Sequence, residues 1–312
     1  MTARLTLAFV CAVASTAAIA SPEGLRHGPQ QIFRGGVEVV SLAVTVMDKE
    51  GQYVSGLDQP NFQVFEDGVL QDIVYFSRQH QPIALTLLMD TSTSMEQKLP
   101  IAQEAAIGFA RQLKPSDVAA VVEFDSRPDI VQDFTSDRSL LEAAIRKTAA
   151  GGSTSLYNAI YVGLRALERT RASAGEQVRR QAIIVLSDGE DTTSLVSYED
   201  VLELAKRSET AVYSIGLRSR DQPSAKGFRE AEFVLRSLAQ QTGGREFFID
   251  DAADLKGIYQ RIADELANQY SIGYMSKNNK RDGAYRRIVV RVDRPNAIAR
   301  TKQGYYGPGG TR

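Results

Sequence analysis

Between residues 82 and 268 the chain alternates short apolar runs with amphipathic stretches, and this alternation constrains the fold more than any other feature. The apolar runs are IALTLLM (83–89), VAAVVEF (118–124), QAIIVLS (181–187), AVYSIGL (211–217) and REFFI (245–249). Between and after them lie helical patterns at 100–113, 138–148, 155–170, 198–208, 227–241 and 252–268, the first opening on Pro100. In the last, Leu255, Ile258, Tyr259, Ile262 and Leu266 form one stripe that reads as core. Strands apolar on both faces have to be covered on both faces. The expected fold class is therefore α/β, a doubly wound, mostly parallel sheet flanked by helices.

The segments on either side have a different period. Val40, Leu42, Val44 and Val46 share one face of a strand, and DKEG (48–51) and Asp67-Gly68 are hairpin signals. After Asp282-Gly283, Ile288, Val290 and Val292 alternate with Arg287, Val289 and Arg291. Neither flank is large enough to bury a good core alone. The expectation is a smaller antiparallel β domain formed by the N- and C-terminal flanks, 37–80 and 269–308, with the α/β domain (81–268) inserted between them.

The N-terminus reads as an address. Arg4 precedes LTLAFVCAVASTAAIA, which closes on Ala18-Ile19-Ala20, so residues 1–20 are expected to be a signal peptide cleaved before Ser21. Cys11 is the chain's 1 cysteine, and the mature protein would carry none. The expected location is secreted or periplasmic, with no transmembrane segment in the mature chain and no thiol chemistry. A net charge of −1 provides no footprint for nucleic acid.

Chemistry concentrates at MDTSTSM (89–95), where an apolar strand gives way to one carboxylate and four hydroxyls. A phosphate-binding loop would need G-x-x-x-x-G-K-[ST], which is absent. An aspartyl-phosphate hydrolase commonly has a second Asp where Ser92 stands. A serine hydrolase needs a nearby histidine, and His27 and His80 both fall in the leading β region. Two further segments converge on the same end of the sheet: GGSTS (151–155) with Thr154, and IIVLSDGED (183–191) with Asp188. Hydroxyls and carboxylates together suit a hard divalent cation, Mg²⁺ ahead of Ca²⁺ or Mn²⁺. Asp125, Ser126, Glu190 and Asp191 read as turn or solvated loop residues.

Asp90, Ser92 and Ser94, with Thr154 and Asp188 in order behind them, resemble the metal-ion-dependent adhesion site of von Willebrand factor type A domains. The flanking stretches VTVMDKEGQYVSGLDQPNFQVFEDGVLQDIVYF and YSIGYMSKNNKRDGAYRRIVVRVDRP are similar to those of a secreted bacterial group of "VWFA-related domain" proteins known from acidobacterial genomes. The resemblance implies that those five residues are the metal ligands, and the scarcity of catalytic bases makes a non-enzymatic module the expectation. Its protein partner would donate a carboxylate to the metal. The expected function is exported, metal-dependent binding or adhesion. Alternatives are a periplasmic scaffold with a stabilising metal and, more remotely, a metal-assisted hydrolase.

Overall fold

The computed structural model describes residues 39–173, 179–218 and 226–309. The expected signal peptide (1–20) and His27 lie outside the described residues. The elements run β1 (Val39–Asp48), β2 (Phe62–Glu66), β3 (Val69–Gln71), β4 (Ile73–Ser77), β5 (Ile83–Asp90), α1 (Leu99–Ala110), β6 (Val118–Phe124) and β7 (Pro128–Thr135). They continue with α2 (Arg138–Lys147), α3 (Leu156–Ser173), β8 (Arg180–Ser187), α4 (Tyr198–Ser208), β9 (Ala211–Leu217), α5 (Lys226–Thr242) and β10 (Glu246–Ile249). The chain closes with α6 (Leu255–Ala267), β11 (Tyr270–Met275), β12 (Tyr285–Val292), β13 (Ala297–Arg300) and β14 (Gly304–Tyr306).

The central sheet has the order β10-β9-β8-β5-β6-β7. Every pairing in it is parallel except β6 with β7. β5 is buried along its whole length, which is what an unbroken apolar run at the middle of a sheet requires. Alternation divides its side chains between two cores. Ile83, Leu85, Leu87 and Met89 join residues of α1, α2 and α6, while Ala84 and Leu88 join residues of α3, α4 and α5. The chain leaves β5 for α1 on one face and β8 for α4 on the other. The switch point of the doubly wound sheet therefore lies between β5 and β8, at the position where such sheets place ligands.

β7 is absent from the sequence reading. It is an antiparallel edge strand with no buried residue, and two register shifts against β6 break the alternation that would have marked it. Pro128 opens it, which an edge strand tolerates because one side of its backbone needs no ladder partner.

The two flanks pair with each other. Four-stranded sheets run β13-β1-β11-β4 and β14-β12-β2-β3, and each combines strands from both ends of the chain. Val40, Leu42, Val44, Phe62 and Val64 share one hydrophobic core with Tyr270, Ile272, Tyr274, Ile288 and Tyr305. Asp67 and Gly68 both take positive φ, as a tight two-residue hairpin between β2 and β3 demands. The alternation in β1 is imperfect in one respect. Thr45, on the outward-reading face, is buried, and its Oγ1 accepts a hydrogen bond from Gln269 at the end of α6 (3.3 Å). At that position the strand abuts the α/β body instead of water.

Candidate metal centre

Asp90 ends β5 with no exposed surface. Its Oδ1 accepts from the backbone N–H of Ser92 (2.9 Å), and its Oδ2 accepts from the Ser187 hydroxyl (2.6 Å). The first bond turns the chain sharply off the strand. Ser92 then leads a short 3-10 turn, Thr93–Met95, pinned by the buried Met95. That turn aims the Ser92 and Ser94 hydroxyls at each other, 3.1 Å apart, with Ser94 open to solvent. Ser94 Oγ in turn donates to Asp188 Oδ1 (2.7 Å) across the switch point.

Thr154 is brought in by a separate scaffold. Gly151 N–H donates to Thr91 O (2.7 Å), and Thr93 donates through both N–H and Oγ1 to Gly152 O (3.2 and 3.0 Å). Gly152 has φ +68°, a conformation that strains any side chain, and a Cβ there would stand 2.6 Å from Ser126 Oγ and 2.8 Å from an Asp125 carboxylate oxygen, so glycine is favoured. On the far side the Thr154 carbonyl accepts from the Thr192 and Thr193 N–H groups (2.8 and 3.3 Å). The Thr154 N–H donates to Thr192 Oγ1 (3.1 Å). With its backbone fixed this way, Thr154 presents Oγ1 toward Gly189, next to Asp188. Among the described residues that hydroxyl has no hydrogen-bond partner.

The structure thus brings Asp90, Ser92, Ser94 and Asp188 into one hydrogen-bonded chain and sets Thr154 beside it. Burial is the main influence on Asp90: it pushes the carboxyl up from 3.8 to about 6, against the hydrogen bonds from Ser187 and Ser92. The donors are two carboxylates and three hydroxyls. This all-oxygen set fits a hard divalent cation, although no cluster of three His, Cys, Asp or Glu side chains occurs among the described residues.

Several supporting residues escaped the sequence reading. Ser187 reads as a strand residue, yet it fixes Asp90. Asp191 is not a solvated loop residue: its Oδ1 accepts from the Tyr157 N–H at the start of α3 (3.1 Å) and from Ser194 Oγ (2.6 Å). Asp125 and Ser126 are turn residues that also brace the Thr154 loop, taking bonds from the Ser155 N–H (2.8 Å, on the Asp125 carbonyl) and the Ser153 N–H (3.0 Å, on Ser126 Oγ). Lys98 also stands at the site, because its Nζ donates to Asp188 Oδ2 at 2.5 Å. Its signal was a cation at the start of a helix, where the macrodipole disfavours one. His80 is half-buried against Asp117 (3.2 Å), which also holds the N–H of Ile83 at the opposite end of β5. Eight strand residues put it about 25 Å from the site.

A doubly wound, mostly parallel sheet flanked by helices, with an oxygen-lined cluster at its switch point, defines a class of α/β domains. The chain belongs to the von Willebrand factor type A domain family, whose sequence model matches residues 84–261. It is 24% identical over 225 residues to an uncharacterized protein of Borreliella burgdorferi, a match covering 67% of this chain and 61% of that one. It is 22% identical over 228 residues to a UPF0353 protein of Mycobacterium leprae, covering 66% of this chain and 65% of that one. The chain thus spans under two thirds of the length of these curated relatives. Among solved structures, a von Willebrand factor type A protein from Catenulispora acidiphila superposes with a TM-score of 0.52 at 13% identity, covering 89% of this chain and 76% of that one. A likeness at that identity shows the fold.

Proposed function

We propose that the protein is an exported binding module that holds a divalent cation, Mg²⁺ ahead of Ca²⁺ or Mn²⁺, at Asp90, Ser92, Ser94, Thr154 and Asp188. There it captures an acidic group on a protein partner. The observation that carries this reading is the continuous chain of oxygen donors at the switch point, with Thr154 Oγ1 left unengaged beside it. Asp90 and Asp188 balance a divalent charge, and neutral hydroxyls supply the remaining oxygens. A cation held largely by neutral ligands keeps its appetite for an anionic oxygen. Ser94, exposed at the mouth, marks the side from which a partner carboxylate would arrive.

Binding is favoured over hydrolysis because the described histidine lies at the far end of β5 and Lys98 is engaged as an ion-pair donor with no acceptor to offer. Export rests on the leader-like residues 1–20. No helix among the described residues is long and apolar enough to cross a membrane. The shared core of the flanks supports reading residues 37–80 and 269–308 as one β domain that carries residues 81–268 as an insert.

The test is capture of partners from the native envelope fraction with Mg²⁺ against EDTA, with wild type and Asp90→Ala. Partner binding is expected to be lost in EDTA and in the variant, with the circular dichroism spectrum kept. Binding that survives both treatments would contradict the proposal. A metal-dependent melting temperature with no partner effect would favour a scaffold role.

A further inference from the structure

The contact between Lys98 and Asp188 has no role in holding a metal. Lys98 Nζ lies 2.5 Å from Asp188 Oδ2, while Ser94 takes the other carboxylate oxygen. The Asp188 side chain is 1% exposed and the lysine 26%, so the pair is open to solvent on the lysine's side alone. Local helix energetics do not explain a lysine here. Lys98 occupies the N-cap position of α1, makes no side-chain cap, and is followed by a first turn with no acidic residue. The positive end of the helix dipole repels it. The position makes sense through the site carboxylate.

We infer that Lys98 is a tethered counter-cation that competes with the metal for Asp188, so that metal loading is an exchange of one cation for another. The inference rests on the reading of Asp188 as a metal ligand. Asp90 and Asp188 together carry a charge of about −2 when ionised. Lys98 cancels half of that charge, and a divalent ion would cancel all of it. An ammonium and a divalent ion on the same buried carboxylate repel strongly across a short distance. The lysine is the one that can leave. Its backbone is pinned, with its N–H on the Met95 carbonyl (2.8 Å) and the buried Met95 and Leu99 on either side. Its four-carbon stem is free to swing the ammonium out through the exposed side. Two consequences follow from the exchange. The metal-free site keeps a neutralised Asp188 and does not open, and the apparent metal affinity is lower than the five oxygens alone would give.

The test is calorimetric titration of Mg²⁺ into the wild type, Lys98→Met and Lys98→Arg at one ionic strength, with melting temperatures in EDTA and in saturating Mg²⁺. Methionine keeps the stem and removes the charge; arginine keeps the charge. Lys98→Met is expected to bind Mg²⁺ about tenfold more tightly than wild type, in proportion to the loss of one charge-assisted hydrogen bond. It should also melt lower than wild type in EDTA, and the gap should close when Mg²⁺ is saturating. Lys98→Arg should stay near wild type. Equal or weaker Mg²⁺ affinity in a folded Lys98→Met would overturn the inference while leaving the metal-site reading intact. Should Lys98→Met not fold, Lys98→Gln carries the same comparison. If none of the proteins takes up Mg²⁺, the metal-site reading and the inference fail together.

Discussion

Glu66 in the flank sheets and Asp188 at the mouth of the central sheet are both carboxylates with 1% of their side chain exposed, yet their surroundings differ. Both oxygens of Glu66 are saturated. Oε2 accepts from the Tyr274 and Tyr305 hydroxyls (2.8 and 3.0 Å), and Oε1 accepts from Ser276 (2.5 Å) with Arg286 alongside (3.5 Å). Arg286 is itself buried and donates onward to the Asn278 and Lys280 carbonyls. Nothing in that cluster can move without orphaning a buried charge. Asp188 has one small hydroxyl and one flexible, partly exposed lysine. A carboxylate enclosed by tyrosines and a buried arginine belongs to the architecture, whereas one held by a serine and a swinging lysine can change partners. The same chain thus uses a buried charge once to lock two flanks together and once to keep a site exchangeable.

The largest effect that would sharpen this contrast is expected for Arg286→Met. Removing the guanidinium leaves Glu66 buried without its counter-charge, and about 3–5 kcal/mol of stability should be lost in urea unfolding. Lys98→Met should lose only about 1 kcal/mol in EDTA, because its pair with Asp188 is partly exposed. Comparable losses in the two would erase the distinction.

Asp90 gives the next largest effect. Its carboxyl is pushed up by burial from 3.8 to about 6, so between those values the folded chain holds a proton that the unfolded chain has released. Stability in EDTA therefore falls as pH rises through that window and stays at the lower level above it. Asp90→Asn removes the penalty. It is expected to exceed wild type by up to about 3 kcal/mol at pH 7.5 and to match it below pH about 4. A constant difference across that pH range would show that burial does not tax this carboxylate.

An effect as small as that of Lys98→Met is expected for Asp191→Ala, which removes the acceptor for the first turn of α3 and for Ser194. The loss should be about 1 kcal/mol in urea unfolding, as for a helix cap. A loss near zero would mean that the start of α3 does not depend on the Asp191 carboxylate.

Much of the framework was legible because it rests on periodicity. β6, β9 and α4 fall where the apolar pattern places them, since a strand buried on both faces must be apolar throughout. Asp90, Ser92 and Ser94 were legible as a site because strand exit, carboxylate and hydroxyls are contiguous. The residues that were missed act through space. Ser187 and Asp191 earn their roles from partners 97 and 34 positions away, which no local pattern announces. Arg286 occupies an inward position of β12, where alternation calls for an apolar side chain. Only the fold brings Glu66 to it, across 220 residues. Lys98 was the one missed residue with a local clue, a cation at the start of a helix, and that clue has meaning only once Asp188 is beside it.

The central claim is that Asp90, Ser92, Ser94, Thr154 and Asp188 form one divalent-cation site. Calorimetric titration of Mg²⁺ into the metal-stripped chain, alongside Asp90→Ala of unchanged circular dichroism, tests it most directly. The account predicts one ion bound per wild-type chain and none detectable in the variant. Saturable Mg²⁺ binding that persists unchanged in Asp90→Ala would contradict it.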